Sequence, residues 1–325
     1  MIIETRAEEE IREVAIPDCP VCGSPSRLHL EVAAEVQLRS CGGCGLIFSE
    51  PLDLRERPES LFSRAYAGNE KRSYMEMFQH RLVWRADLLK SGPALKKVLP
   101  KTQREALAYI RHNAEPGSTV LDIGCGSGLF LQANKESGYR VAGIEVAEPA
   151  VAFLREHGYQ VYHGTVEEAP EGWVEPSICS AFYVLHHVVD PLGFLQTISR
   201  KFPRAELILT EHYLGVNPTK IAPLNLPPRR LTIWNQESLR LALEKSGYEI
   251  VRMEIVPHSP YNPAVDGTLT KWYCQMRRFI PPPVRPRLIA SYLKLQEKGS
   301  AFLRALFGNR SFLGQEHLFV IARPR

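Results

Sequence analysis

The sequence predicts an α/β protein built on a doubly wound, mostly parallel seven-stranded sheet, with a small cysteine ribbon in front and a long insert before the last strand. Three observations carry that expectation. Strand-like and helix-like segments alternate from Val120 onward, and such alternation marks a parallel sheet covered by helices on both faces. Gly124, Gly126 and Gly128 crowd the first strand-to-helix turn. Four of the seven cysteines fall in two closely spaced pairs between residues 19 and 44.

The cysteine pairs come first along the chain. Cys19-Pro20-Val21-Cys22-Gly23 and Cys41-Gly42-Gly43-Cys44-Gly45 are two CxxC knuckles separated by eighteen residues. Two residues between thiolates let a tight turn aim both sulfurs at one metal, and the glycine after each knuckle permits close backbone approach. This is zinc-ribbon spacing, with Cys19, Cys22, Cys41 and Cys44 as the ligands. Four thiolates close a tetrahedron and leave no open position, so the expected Zn²⁺ is structural. The ribbon is assigned to residues 1–55 and a helical collar to 56–115, where Met75, Phe78, Leu82, Ala86 and Leu89 recur at helical spacing. Cys125, Cys179 and Cys274 read as buried or incidental thiols of a reducing compartment.

Residues 116–256 hold the alternating pattern. VLDI is followed by the helix LFLQANKES, stopped at Gly138; RVAGI is followed by a helix with Pro149 in its first turn and Gly158 past its end. YQVYHG, SICSAFYV and AELILTEH read as the third, fourth and fifth strands. Asn235 is placed to cap a further helix, with Trp234 and Leu239 as a hydrophobic staple, before the strand EIVRMEIV. The final strand lies within 317–325, so residues 257–316 form an insert too long for a plain loop. Between Lys271 and Arg310 that insert carries nine Lys or Arg against the single acid Glu297. The whole chain of 325 residues has a formal charge of only +4, with 44% hydrophobic and 23% charged residues. Those are values of an ordinary globular protein, and nucleic acid is not the expected partner. No apolar run reaches the 18 or so residues of a membrane span, and the start Met1-Ile2-Ile3-Glu4 lacks signal-peptide features. A cytoplasmic location is the expectation.

The glycine turn points to a nucleotide-type ligand. Asp122 ends the first strand of the pattern, the glycines are spaced GxGxG, and Glu145 closes the next strand twenty-one residues beyond Gly124. An acid at that second position can accept hydrogen bonds from both ribose hydroxyls. A dinucleotide-binding dehydrogenase would share these features. The diphosphate of a dinucleotide would be repelled by Asp122, whereas the ammonium group of S-adenosylmethionine would be attracted.

VLDIGCGSG (120–128), GIEVAEPAV (143–151), HGTVEEAP (163–170) and VLHHVVDPLGFL (184–195) together resemble class I S-adenosylmethionine-dependent methyltransferases over roughly residues 105–256. The CPVCG and CGGCGLIF knuckles, with Tyr66 and Tyr74 downstream, are similar to the zinc-binding front end of a subgroup that modifies small molecules, including sugar C-methyltransferases. The resemblance implies that Asp122, Gly124, Cys125, Gly126 and Gly128 frame the methionine part, Glu145 and Val146 the ribose, and Thr165, Val166 and Phe182 the adenine end. Thr165 stands where many relatives have an acid and Ser177 where strand four often begins with Asp, which points to backbone contacts for the adenine.

Reacting groups are expected from the loops after strands four and five, because ligands of open parallel sheets bind beyond the carboxyl ends of the strands. Methyl transfer is an in-line displacement, so alignment supplies much of the rate and a base is needed only for an acceptor with a weakly acidic proton. His187 is the expected base or acceptor-orienting group, with His186 and His212 as competitors. Tyr66, Tyr74, Tyr183, Tyr213, Arg277 and Arg278 are the expected acceptor contacts, the two arginines suiting an anionic acceptor. The first function reading is methyl transfer to an oxygen or carbon of a sugar nucleotide or natural-product intermediate. The alternatives are an RNA methyltransferase that engages RNA through the ribbon and a cofactor-binding protein without catalysis.

Overall fold

A computed structural model of the chain describes residues 18–33, 36–50, 99–213, 227, 230–257, 279–281, 284 and 316–325. Tyr66 and Tyr74 of the expected collar, and Arg277 and Arg278 of the basic insert, lie outside the described residues.

Strands β1 (Ser26–Ala33), β2 (Val36–Cys41) and β3 (Ile47–Glu50) form an antiparallel ladder around the cysteine knuckles. Helix α1 (Lys101–Asn113) follows and turns Thr102, Ala106, Leu107 and Ile110 into the core, one face at helical spacing. Then come β4 (Thr119–Ile123), α2 (Leu129–Lys135), β5 (Arg140–Glu145), α3 (Glu148–Glu156), β6 (Gln160–His163), β7 (Ile178–Phe182), α4 (Pro191–Lys201) and β8 (Glu206–Tyr213). The chain continues through β9 (Thr232–Ile233), α5 (Gln236–Lys245), β10 (Tyr248–Pro257) and β11 (Glu316–Pro324).

Seven of these strands make one sheet in the order β10-β11-β8-β7-β4-β5-β6. β4, β5, β6, β7 and β8 pair in parallel, and β11 runs antiparallel between β8 and β10. All five residues of β7 and the last four of β4 are buried, as strands covered on both faces must be. The direction of winding reverses at β4, because β5 and β6 lie on one side of it and β7 and β8 on the other. A crevice at the carboxyl ends of β4 and β7 is the topological switch point where such sheets take their ligands. The antiparallel β11 begins at that same edge: Glu316 faces Tyr213 on one side and Pro257 on the other, and His317 faces His212. Both ends of segment 258–315 therefore emerge beside the crevice.

The ribbon is built into this fold. β9, from far downstream, joins the ribbon ladder as a fourth strand, pairing Ile233 with Ile47 and Thr232 with Phe48. Asn235 Oδ1 accepts from the Ser238 amide (2.8 Å) to cap α5, while Asn235 Nδ2 donates to the Cys44 carbonyl (3.0 Å). Lys245 Nζ, at the other end of α5, donates to the Val21 carbonyl (2.9 Å). Cys19, Val21, Cys44, Leu46 and Phe48 pack in the same buried cluster as Trp234, Leu239 and Leu121. One core thus serves both parts, and residues 232–235 complete a sheet whose other strands end at Glu50.

Candidate active site

The crevice is lined first by the glycine turn. Gly124 and Cys125 both donate their amides to the Ile144 carbonyl (2.8 and 3.1 Å), which clamps the turn against β5. At Gly124, φ +70° and an approach to the next loop both exclude a side chain, since a Cβ would lie 2.5 Å from Val184 Cγ2. Gly126 also has positive φ (+53°), yet a Cβ there would meet nothing within 4 Å, so its surface faces open space in the crevice. Gly128 ends the turn as the N-cap of α2. The Cys125 thiol points away, buried in a cluster with Leu131, Val151 and Leu154.

Two acids underlie the turn. Glu145, buried at the end of β5, accepts from the amides of Gly126 (2.7 Å, Oε2) and of Val146 and Ala147 (both 2.9 Å, Oε1). A carboxylate has about four lone-pair sites, so Oε2 retains capacity for a ligand hydroxyl. Burial still pushes Glu145 above the usual carboxylate range despite those amides. Asp122 accepts from Ser180 Oγ (2.7 Å) and is buried, which raises its carboxyl to about 7, with Glu145 adding to the rise and Ser180 opposing it. Further along, the Gly164 amide donates to the Glu145 carbonyl (3.0 Å) and brings the residues after β6 to the same edge. The Thr165 amide donates to Glu168 Oε2 (2.8 Å), and Val166 is fully packed in the main core. Phe182 is buried edge-on against Phe130, with ring centroids 4.8 Å apart, so its ring serves the core.

The loop after β7 carries a second constellation. Tyr183 alone among described non-glycine residues has positive φ (+61°), a strained conformation of the kind that gathers at functional sites. Its amide donates to the Thr210 carbonyl (2.8 Å), and its hydroxyl lies 3.3 Å from Thr102 Oγ1. Leu185–His187 then make a 3₁₀ turn. His186 is buried, its Nδ1 2.5 Å from Glu211 Oε2, while Glu211 Oε1 accepts from the Leu185 amide (2.8 Å). Burial lifts the Glu211 carboxyl to about 7 and pushes His186 well below the usual imidazole value. One proton between Oε2 and Nδ1 therefore satisfies the pair near neutral pH. His187 is only half-buried, its ring 4.1 Å from that of His186. The His212 ring lies 5.2 Å from His186, 4.7 Å from Tyr183 and 5.1 Å from His317. Tyr213, half-buried, bridges to Trp234 at the edge where the ribbon docks.

The four ribbon cysteines are reduced, and their sulfurs lie within 4.8 Å of one another. Cys19 and Cys44 are 3.7 Å apart and Cys22 and Cys41 3.2 Å. Tetrahedral zinc with bonds of about 2.3 Å spaces its sulfurs by about 3.8 Å, so this set fits the metal with small adjustments. Amides of Ser24, Gly43 and Cys44 already point at the sulfurs of Cys22 and Cys41, at 3.2 to 3.4 Å. Such N–H donors favour the charged thiolates that a metal requires.

Comparison with known proteins decides between the nucleotide ligands the turn could hold. Residues 96–253 match the model of a family described as a methyltransferase domain. The chain belongs to the class I methyltransferases. Relatives include a ubiquinone biosynthesis O-methyltransferase of Hahella chejuensis, 31% identical over 94 residues covering 27% of this chain and 40% of that one. Another of that description, from Aromatoleum aromaticum, is 34% identical over 119 residues, or 30% of this chain and 51% of that one. The chain spans about half the length of these curated relatives. Among solved structures, a magnesium protoporphyrin IX methyltransferase from Synechocystis with bound S-adenosylhomocysteine is 18% identical, with TM-score 0.41, covering 48% of this chain and 75% of that one.

Within this methyltransferase domain, Asp122, Gly124, Gly126, Gly128 and Glu145 converge on one side of the crevice, and Tyr183, His186, His187 and His212 on the other. Sequence reasoning did not single out Thr102, Arg230 or His317, and it raised Glu211 only as a fallback. Leu231 explains how Arg230 arrives: the Leu231 amide donates to the His186 carbonyl (2.8 Å), and its carbonyl accepts from the Ser49 amide (2.7 Å). The one signal for His317 was its place at the start of the last strand, which means nothing until that strand is known to run antiparallel beside β8.

Proposed function

We propose that the chain transfers a methyl group from S-adenosylmethionine to an oxygen or carbon of a small molecule, with a sugar nucleotide or natural-product intermediate as the acceptor class. The observation that carries this reading is the glycine turn at the switch point, hydrogen-bonded through the Gly126 amide to Glu145 and open at Gly126. When bound, the cofactor supplies an electrophilic methyl on a sulfonium. Asp122 would face its ammonium group, Glu145 Oε2 its ribose, and the amides around Thr165 its adenine. Val184, in contact range of Gly124, would hold the acceptor loop against the donor loop. Among the two acceptor atoms the names of the curated relatives, both O-methyltransferases, favour oxygen.

In the same reading the ribbon cysteines hold one structural zinc, and the basic segment of the insert, whose ends flank the crevice, contacts the acceptor. His187, half-exposed beside the buried His186–Glu211 pair, takes the acceptor's proton or orients the acceptor. The test is calorimetry with S-adenosylhomocysteine, followed by incubation with isotopically labelled methyl donor and fractionated metabolites. Binding and a labelled small molecule are the expected results. Label found only in RNA or protein would move the acceptor out of the small-molecule class, and absence of cofactor binding would remove the reading.

A further inference from the structure

Arg230 is where the ribbon and the catalytic turn meet. Its neighbour Leu231 is fully buried and hydrogen-bonded both to the ribbon strand, at Ser49, and to the turn after β7, at His186. Thr232 and Ile233 continue as β9, and Trp234 bridges to Tyr213 at the end of β8. The backbone on the C-terminal side of Arg230 is thus bolted to two loops of the crevice, while Arg230 itself is half-buried.

The guanidinium reaches the reacting edge electrostatically. Its charge acts on Tyr183, on His186 and on Glu211, three groups at the carboxyl ends of β7 and β8. Glu211 already has both oxygens engaged by the turn itself, through the Leu185 amide and His186 Nδ1, so its place does not depend on a bond to Arg230. Facing this charge are groups that suit a flat ligand: the Tyr183 ring, and the His212 and His317 rings 4.7 and 5.1 Å from it. A half-exposed imidazole, His187, stands next to them.

We propose that Arg230 is the counter-charge for the acceptor, which is an acidic hydroxyl compound, a phenol or enol, bound and methylated as its oxyanion beside His187. The inference rests on the methyltransferase reading above and narrows it to oxygen. The hydroxyl proton passes to the His187 imidazole and then to solvent. A lone pair of the oxyanion forms the new O–C bond to the donor methyl, the C–S bond breaks, and its electron pair stays on sulfur. The products are the methyl ether, S-adenosylhomocysteine and one proton. A guanidinium supplies two N–H donors in a plane as well as charge, and lysine cannot reproduce both.

The experiment uses the full chain loaded with S-adenosylhomocysteine and two optical probes, 4-nitrophenolate and its neutral analogue 4-nitroanisole. Wild type is expected to bind the phenolate at least about tenfold more tightly than the anisole, which corresponds to lowering the acidity constant of bound 4-nitrophenol by about one unit. Arg230→Gln should erase that preference, and Arg230→Lys should keep part of it, with S-adenosylhomocysteine affinity unchanged in both. Should Arg230→Gln fail to fold, a preference in Arg230→Lys that is reduced but present gives the same support. A wild-type preference retained in full by Arg230→Gln, or by Arg230→Lys when the former is lost, assigns Arg230 a purely structural place and overturns the proposal. So does wild type that shows no anion preference. If wild type fails to bind S-adenosylhomocysteine at all, the methyltransferase reading falls and this inference with it.

Discussion

Cofactor binding should depend on pH through Asp122. Its carboxyl is buried under the glycine turn and raised from an ordinary 3.8 to about 7, with desolvation as the main cause, Glu145 adding to it and Ser180 opposing it. A cation brought to the carboxylate favours the ionised form, and the amino-acid ammonium of the cofactor is such a cation. At an effective dielectric constant of about 20, two charges about 5 Å apart attract by about 3 kcal/mol, enough to pull the carboxyl about two pH units down on binding. The ligand-free protein must then release a proton to bind below neutrality. Affinity for S-adenosylhomocysteine should rise about tenfold between pH 6 and pH 8, levelling off above about 8. Glu145, also raised by burial, would contribute in the same direction, so the decisive comparison is with Asp122→Asn. That variant keeps an acceptor for Ser180 Oγ, should bind about 1.5 to 3 kcal/mol more weakly at pH 8, and should show a flatter profile. Isothermal titration calorimetry in buffers of different ionisation enthalpy reads the affinity and the released proton together. A wild-type profile that is flat across this range, or an Asp122→Asn profile identical to it, would falsify the placement of Asp122 against the ammonium.

The metal centre, the tight turn and the catalytic loop each carry a further expectation. Elemental analysis of protein purified without chelator should find one zinc per chain, and Cys41→Ser should lose it together with thermal stability, since Cys41 packs in the core shared by ribbon and sheet; metal-free wild type with unchanged melting temperature would contradict this. Gly124→Ala should cost on the order of 3 kcal/mol in chemical denaturation, from left-handed backbone and the approach to Val184, whereas an alanine accommodated without loss would mean that the two switch-point loops are not packed as described. Glu211→Gln should gain on wild type as pH rises from 5 to 8, because a carboxyl raised to about 7 on folding costs the folded state about 3 kcal/mol as it ionises; a stability difference that stays constant over that range would refute the burial argument. His187→Ala should bind S-adenosylhomocysteine normally and turn over about 10²- to 10⁴-fold more slowly in the labelled-methyl assay, and an unimpaired variant would leave alignment as the source of rate.

What could be read from the sequence was local. The CxxC knuckles, the GxGxG turn and Glu145 are specified by spacing within a few residues or within one strand-helix-strand unit, and period and spacing survive without knowledge of the fold. Asn235 was visible as a helix cap for the same reason, since Ser238 lies one turn away. Its second bond, to the Cys44 carbonyl, joins residues 191 positions apart and left no mark in the sequence. The His186–Glu211 pair likewise spans two strands, and Glu211 read as one more residue of a buried strand. Which of two adjacent histidines faces the crevice could be argued only from strand alternation. The backbone instead passes through Tyr183 at φ +61° into a 3₁₀ turn, and that turn, not the pleat, buries His186 and leaves His187 half-exposed.

The docking of the ribbon bears on chemistry because of where it acts. A zinc module joined only through a linker would stabilise its own few residues. Here β3 holds Leu231, Leu231 holds the His186 carbonyl, and His186 holds Glu211 on β8. The cysteine knuckles are therefore a few hydrogen bonds from the acceptor side of the crevice, while the glycine turn and Glu145 on the donor side are clamped by β5. Loosening the ribbon should then disturb the acceptor loop more than the cofactor site. The expected signature of metal removal is a faster hydrogen exchange at the amides of Leu231 and Leu185 with near-normal affinity for S-adenosylhomocysteine. Equal loss on both sides would mean instead that the shared core, and not the Leu231 link, transmits the effect.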